Sequence, residues 1–211
     1  MIDALILTIL MTSVPLVLAA TGELVVERSG VLNLGLEGMM LMGAVSAFAF
    51  TYATGSLFIG LLAGIISGAV TAAIFGFFVL GLATNQVATG LALTIFGTGL
   101  SGLIGADFVG NAITGLPTLF PKHFGDIPFI GAFLSLDIVA YSSVIIVFLV
   151  WVFLFKTKTG LILRASGISH DSAHSLGYSV LKVRWCAVLF GGMMAGLSGA
   201  SLPLMLTSHW S

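Results

Sequence analysis

Apolar residues run almost without interruption through six stretches of this chain, and the polar positions between them are few and clustered. No formal charge occurs between Glu37 and Asp107. At about 1.5 Å of rise per residue, a helix needs about 20 apolar residues to cross a bilayer. The stretches 2–20, 38–54, 58–81, 86–105, 138–155 and 185–206 each fall near that length. Thr54-Gly55-Ser56 and Ala83-Thr84-Asn85 break the neutral middle into three crossings. Residues 106–136 scatter Asp107, Asn111, Pro117, Pro121, Lys122, His123, Asp126 and Pro128, which predicts an extramembranous loop with a short interfacial helix. The fold class is therefore all-α: a polytopic membrane protein of about six transmembrane helices in a single domain, 1–211.

Two polar segments interrupt this pattern. Residues 22–37 carry Glu23, Glu27, Glu37, Arg28 and Asn33 between two apolar runs. Gly30, Gly35 and Gly38 weaken a helix there, so the segment is expected to be broken or re-entrant. Residues 156–184 form a long loop of mixed apolar and basic character. Small residues also recur at helix-packing spacing, as Gly60, Gly64, Gly68 and as Gly192, Gly196, Ala200. In lipid such stripes let backbones approach closely, and internal helix packing is the preferred reading over a dimer seam.

Composition agrees. Of 211 residues, 58% are hydrophobic and 7% charged, where a soluble domain carries about 25% charged residues. The net charge of −1 implies neither nucleic acid nor an anionic surface as a bulk partner. The single cysteine, Cys186, allows no intrachain disulfide and reads as a small core residue. Five of the seven basic residues, Lys156, Lys158, Arg164, Lys182 and Arg184, lie in the loop 156–184, which places it in the cytoplasm. Residues 106–136 are then outside, 82–86 inside, and 22–37 near the cytoplasmic side. The first apolar run begins beside Asp3 with no basic residue before it, so it reads as a retained span with an outside N-terminus.

Three segments carry candidate chemistry. Asn33 and Glu37 are four apart and share a face if the helix persists through them. Carboxylates inside a membrane are functional candidates, although Glu23 and Glu37 also suit an interface, and Glu27 or Glu37 an ion pair with Arg28. In the basic loop, Ser169 suits an N-cap and Gly177 a helix stop, which predicts a two-turn helix over 170–176. With Leu176 and Tyr178 beside it, that helix suits insertion into a groove of another protein. His170 and His174 have metal-binding spacing but no third ligand. The stretch 84–100 sets Asn85 and Gln86 at the cytoplasmic mouth. Thr89 and Thr94 face either a solute path or a backbone carbonyl, the latter being the commoner use of a helical hydroxyl. No HExxH, GxSxG or phosphate-binding glycine loop occurs, so catalytic residues and nucleotide hydrolysis by this chain are not expected.

The run Glu23-Leu24-Val25-Val26-Glu27-Arg28-Ser29-Gly30-Val31-Leu32-Asn33-Leu34-Gly35-Leu36-Glu37-Gly38 resembles the signature of permease subunits in bacterial ABC importers for nucleosides and simple sugars. These belong to the superfamily of branched-chain amino acid and ribose permeases. Asn85-Gln86-Val87-Ala88-Thr89-Gly90 is similar to a second stretch of that branch, and Leu163-Arg164-Ala165-Ser166-Gly167 with Ala173 and Gly177 to its coupling loop. The resemblance covers essentially the whole chain. It implies an inner-membrane permease without a cofactor of its own, with ATP and Mg on a cytoplasmic ATPase. It also implies a second, different permease subunit and an extracytoplasmic binding lipoprotein. By this resemblance Arg164, Gly167, Ser169, His170, Asp171, Ala173, Leu176 and Gly177 contact the ATPase. Asn33 and Glu37, with Glu23 and Thr89, border the solute path. His170-Asp171 stands where the family usually has Asn-Pro, and family members are longer, so a C-terminally truncated chain is expected. A proton-coupled transporter using Glu37 and a non-transporting membrane scaffold are the competing readings.

Overall fold

The computed structural model describes residues 2–117, 130–169, 173–174 and 177–210. Among them it is all helical, with six helices long and apolar enough to cross a membrane. These are α1 (Ile2–Arg28), α2 (Leu36–Thr54), α3 (Leu57–Gly76), α4 (Gln86–Gly105), α6 (Ile138–Lys156) and α8 (Val180–Ser201). Two shorter helices join them, α5 (Ile130–Leu134) before α6 and α7 (Lys158–Ile168) after it. The third and last spans continue into π-helical turns over Phe77–Gly81 and Leu202–Thr207. The first span is longer than its apolar run suggests. Gly22 does not end it, because that glycine lets α1 lie on Met194 of α8: an added Cβ would stand 2.6 Å from the Met194 Cβ.

The bundle is organised around α8, which packs against α1, α2 and α3. The two small-residue stripes meet one another here. Gly68 faces the backbone of Gly192 and Gly196, Gly196 faces the Gly64 carbonyl, and Gly64 faces the Ala200 methyl at 2.7 Å. On the other side of α8, a Cβ at Gly43 of α2 would sit 2.7 Å from the Gly196 Cα, and Gly199 abuts Met40. Between helices in lipid, where apolar contact alone does not favour helix over solvent, this backbone proximity supplies the dispersion contacts that hold the bundle. Internal packing thus accounts for both stripes. Gly60 is the exception, lying against Ala47 and Thr51 of α2.

The two ends of the bundle are chemically distinct. At one end the turn 29–35, the start of α4, and α7 with the start of α8 converge, and with them Arg28, Lys156, Lys158, Arg164, Lys182 and Arg184. Lys122 falls outside the described residues. At the other end the segment after α4 meets the end of α8, through Ile113 N–H to the Ser208 carbonyl (2.9 Å) and Leu116 N–H to the Leu204 carbonyl (2.8 Å). Phe48, Tyr52, Phe108 and Trp210 cluster there. Basic residues so concentrated at one end place that end in the cytoplasm.

Asp137 opens α6 at the opposite end, its Oδ1 accepting the Ala140 N–H at 3.0 Å. Burial pushes its carboxyl above the ordinary carboxylate range, and the backbone hydrogen bonds only partly oppose this. As pH rises from the ordinary carboxylate value through the raised one, the unfolded chain ionises first. Folding stability should therefore fall over that window. Asp137→Asn keeps the cap acceptor and loses the titration. Thermal unfolding in detergent across the acidic range should show the slope in the parent and its absence in the variant.

Candidate functional site

The cytoplasmic end is built around the seven residues between α1 and α2. Gly30 adopts φ +85°, its N–H bonds the Glu27 carbonyl (2.9 Å), and Val31 N–H bonds the Val26 carbonyl (3.4 Å). That is a Schellman ending, completed by contact between the two buried valines. Only glycine takes that φ without a Cβ penalty, so the local sequence dictates the stop.

Beyond Gly30 the backbone has no helix to satisfy it, and side chains from elsewhere do so. Gln86 Oε1, at the start of α4, accepts the Leu32 N–H at 2.7 Å. Glu23 Oε1 of α1 accepts the Asn33 N–H at 3.2 Å. Thr94 of α4 donates its hydroxyl to the Leu34 carbonyl at 3.0 Å. Asn33 Oδ1 accepts the Gly35 N–H at 3.0 Å, an Asx turn that launches α2, and its Nδ2 reaches Met39 Sδ at 3.6 Å. Gly90 and Gly38 let α4 approach: a Cβ at Gly90 would meet the Leu34 nitrogen at 2.9 Å. The segment is thus broken rather than re-entrant, and four of its backbone groups are paired with side chains of the protein.

Two expectations change here. Asn33 and Glu37 do not share a helix face. Asn33 is 3% exposed inside the turn, whereas Glu37 is exposed on the first turn of α2, where its charge favours the helix N-terminus. The glycines that weaken the helix put the break between them. Cys186 is also exposed rather than core, lining a crevice of about 430 Å³ bordered by Val25, Val150 and Phe190.

Of the expected solute-path residues, the structure joins only Glu23 and Asn33 by a hydrogen bond. Glu23 Oε2 is buried and finds no partner among the described residues. Thr89 lies apart from them, sharing a hydrogen bond with Thr84 (2.9 Å) and lining an apolar crevice of about 510 Å³ between α3 and α4.

The second half of this end is the arm 157–179. Thr157 caps α7 by accepting the Gly160 N–H at 3.0 Å. Leu163 and Ser166 are buried toward the bundle, while Leu161 and Ile168 stay exposed, the latter at 88%. Arg164 lies 5.0 Å over the Phe155 ring, with its Nε buried and unpaired among the described residues. Ala173 N–H bonds the Ser169 carbonyl at 3.2 Å, while most of the helix expected over 170–176 lies outside the described residues. Tyr178 N–H to the Ala173 carbonyl (3.2 Å), Gly177 N–H to the His174 carbonyl (2.9 Å) and φ +84° at Gly177 make a second Schellman ending. His170, Asp171 and Leu176 lie outside the described residues. Leu161, Ile162, Ala165, Ala173 and Tyr178 line a groove of about 520 Å³ beside Lys158.

The arm is seated on the turn. Gly167 has its Cα 3.1 Å from a Cβ placed at Gly30, and itself faces the Arg28 carbonyl. Arg184 of α8 donates Nε–H to the Ser29 carbonyl at 3.1 Å. Sequence reasoning missed Arg184 as a site residue. Its one signal is a cation near the N-terminus of its own helix, the end that disfavours positive charge.

Six apolar spans, a break at the cytoplasmic end held by side chains of other helices, and an arm resting on it define a multi-pass membrane protein. The chain belongs to the family described as the permease component of the branched-chain amino acid transport system, which matches residues 5–211. A Haloferax volcanii protein named provisionally as the glucose ABC transporter permease TsgC13 is 40% identical over 200 residues, covering 92% of this chain and 61% of that protein. The guanosine ABC transporter permease NupQ of Bacillus subtilis is 33% identical over 204 residues, 90% of this chain and 64% of its own. The nucleoside ABC transporter permease NupC of Lactococcus lactis is 26% identical over 222 residues, 100% of this chain and 70% of its own. The chain thus spans under two thirds of the length of the first two of these relatives. No solved structure matches it. Family and spans together make it a multi-pass protein of the inner, cytoplasmic membrane.

Proposed function

We propose that this chain is the transmembrane permease subunit of an ATP-driven ABC importer that moves nucleosides or simple sugars into the cytoplasm. The observation that carries this reading is the cytoplasmic arm. Its apolar groove beside Lys158, its exposed Ile168 and its turn closed by Gly177 form a surface suited to a soluble partner, on a chain whose relatives are named as glucose, guanosine and nucleoside permeases. That partner is a cytoplasmic ATPase, which holds ATP and Mg. It contacts Arg164, Gly167, Ser169, His170, Asp171, Ala173, Leu176 and Gly177. A second permease subunit completes the pathway as a heterodimer, and an extracytoplasmic lipoprotein delivers the solute. Glu23, Asn33, Glu37 and Thr89 border the cytoplasmic end of the route.

The test is Gly177→Trp. Among the described residues, chain neighbours aside, no atom lies within 4 Å of a Cβ there, but φ +84° strains any side chain. The strain of about 1–2 kcal/mol reshapes the partner-facing turn and leaves the spans alone. Membrane levels should stay normal while uptake of labelled guanosine or glucose is lost. Uptake at the parent rate would count against docking through this turn. Uptake that survives ATP depletion and collapses with an uncoupler would instead support a proton-coupled transporter.

A further inference from the structure

The crevice of about 430 Å³ that Cys186 lines opens between α6 and α8, each of which packs on α1. Val25 of α1 and Leu163 of α7 close it from within, and both are buried. Leu149 of α6 and Cys186 of α8 are exposed at its edges. On α8 the lining follows one stripe, Cys186, Phe190 and Met194, which at 1.5 Å per residue runs about 12 Å along the helix. Lys182 continues that stripe by one turn toward the cytoplasm. α6 runs the opposite way, and there Leu149 and Phe153 are followed one turn later by Lys156. Both lysines are exposed. Lys156 Nζ lies 5.7 Å from the centre of the Trp151 ring, a pairing of cation and exposed tryptophan that marks headgroup depth. The carboxylates at this end face elsewhere: Glu23 accepts the Asn33 N–H, and Glu27 borders Gly30 and Gln86. Among the described residues no carboxylate lines the crevice.

We infer that this crevice is a binding site for an anionic phospholipid of the inner leaflet. One acyl chain lies along Cys186, Phe190 and Met194 against Leu149 and Phe153, and the phosphate lies between Lys156 and Lys182. A polar solute would surrender its hydrogen bonds to water here and gain none from the apolar lining, so the crevice does not suit a sugar or a nucleoside. An acyl chain leaves an equally apolar surrounding and gains closer contacts. Selection then falls to the two cations on opposite lips of the crevice, which favour a headgroup of net negative charge over a zwitterionic one. The inference needs only that the spans lie in lipid, and it stands apart from the reading of solute and ATPase.

The chain's single cysteine reports on its own crevice. The full chain is placed in nanodiscs of phosphatidylcholine, with or without phosphatidylglycerol, and N-ethylmaleimide labelling of Cys186 is timed by intact-protein mass. A lysine at an anionic headgroup is worth roughly a fivefold preference, so phosphatidylglycerol should slow labelling of the parent by roughly fivefold or more. The slowing should vanish in Lys156→Gln/Lys182→Gln, which removes the cations. It should also vanish in Leu149→Trp, which keeps both lysines and the thiol but fills the crevice. Native mass spectrometry should find phosphatidylglycerol retained on the parent and absent from both variants. Equal parent rates in the two membranes overturn the site: fast rates leave the crevice open, and slow rates give it to a protein cover. An oxidative Cys186–Cys186 cross-link would name that cover as a second copy of the chain. Slowing that persists in Leu149→Trp would assign the effect to surface charge acting on the thiolate, and would overturn the site as well.

Discussion

Gly196→Leu should abolish accumulation of the folded protein in the membrane. Gly196 sits where three helices cross: its missing side chain leaves room for the Gly64 carbonyl and for the Gly68 Cα at 3.0 Å, while its own backbone lies against Gly43 of α2. The atoms in the way are backbone, which cannot rotate aside as a side-chain tip would. Overpacking a core costs about 1–3 kcal/mol when side chains can adjust, and more when they cannot. Here relief requires α3 to move off α8, and the close packing gained along both glycine stripes is lost with it. Membrane yield and detergent-solubilised thermal unfolding should both collapse. A variant at Gly99 of α4, where nothing among the described residues outside its own helix backbone lies within 4 Å of an added Cβ, supplies the control and should keep near-parent yield. Normal yield and melting for Gly196→Leu would show that the α2–α3–α8 contact is not as drawn.

Asn33→Leu should lower stability by about 2–4 kcal/mol, since it leaves the Gly35 N–H without an acceptor in a buried turn and removes a second hydrogen bond to Met39. An orphaned buried donor costs about 1–3 kcal/mol, and the turn's geometry depends on this one. The branched side chain also has to fit a site built for a planar amide. Melting temperature in detergent should drop, and uptake should fall in proportion to the surviving folded protein. The alternative is a solute contact at Asn33, which predicts a raised KM at unchanged melting temperature. That pattern would move the residue from the turn into the solute route alone.

Asn33 also illustrates how far sequence reading reaches. Its spacing from Glu37 suggests a shared face, yet that argument assumes a continuous helix, and the glycines that bracket Asn33 interrupt one. The correct element could be anticipated from Gly30 and Gly35, but not the partners of the broken backbone. Glu23, Gln86, Thr94 and Arg184 come from three different helices, and nothing in their local sequence says that they converge on one turn. The arm divides the same way: Ser169 and Gly177 announce a short helical turn, whereas the seating of Gly167 against Arg28 and Gly30 is invisible without the fold.

What the chain's own order of residues determined was the number of the spans and the location of both polar interruptions. Hydropathy, charge placement and glycine backbone freedom act locally, so they can be read along a single line. What only the tertiary structure decided was which groups meet: glycine stripe on glycine stripe, Arg184 on the end of α1, Glu23 on Asn33, and Glu37 left at the surface. Those pairings depend on how helices far apart in sequence cross, and a crossing is set by packing summed over several helices at once.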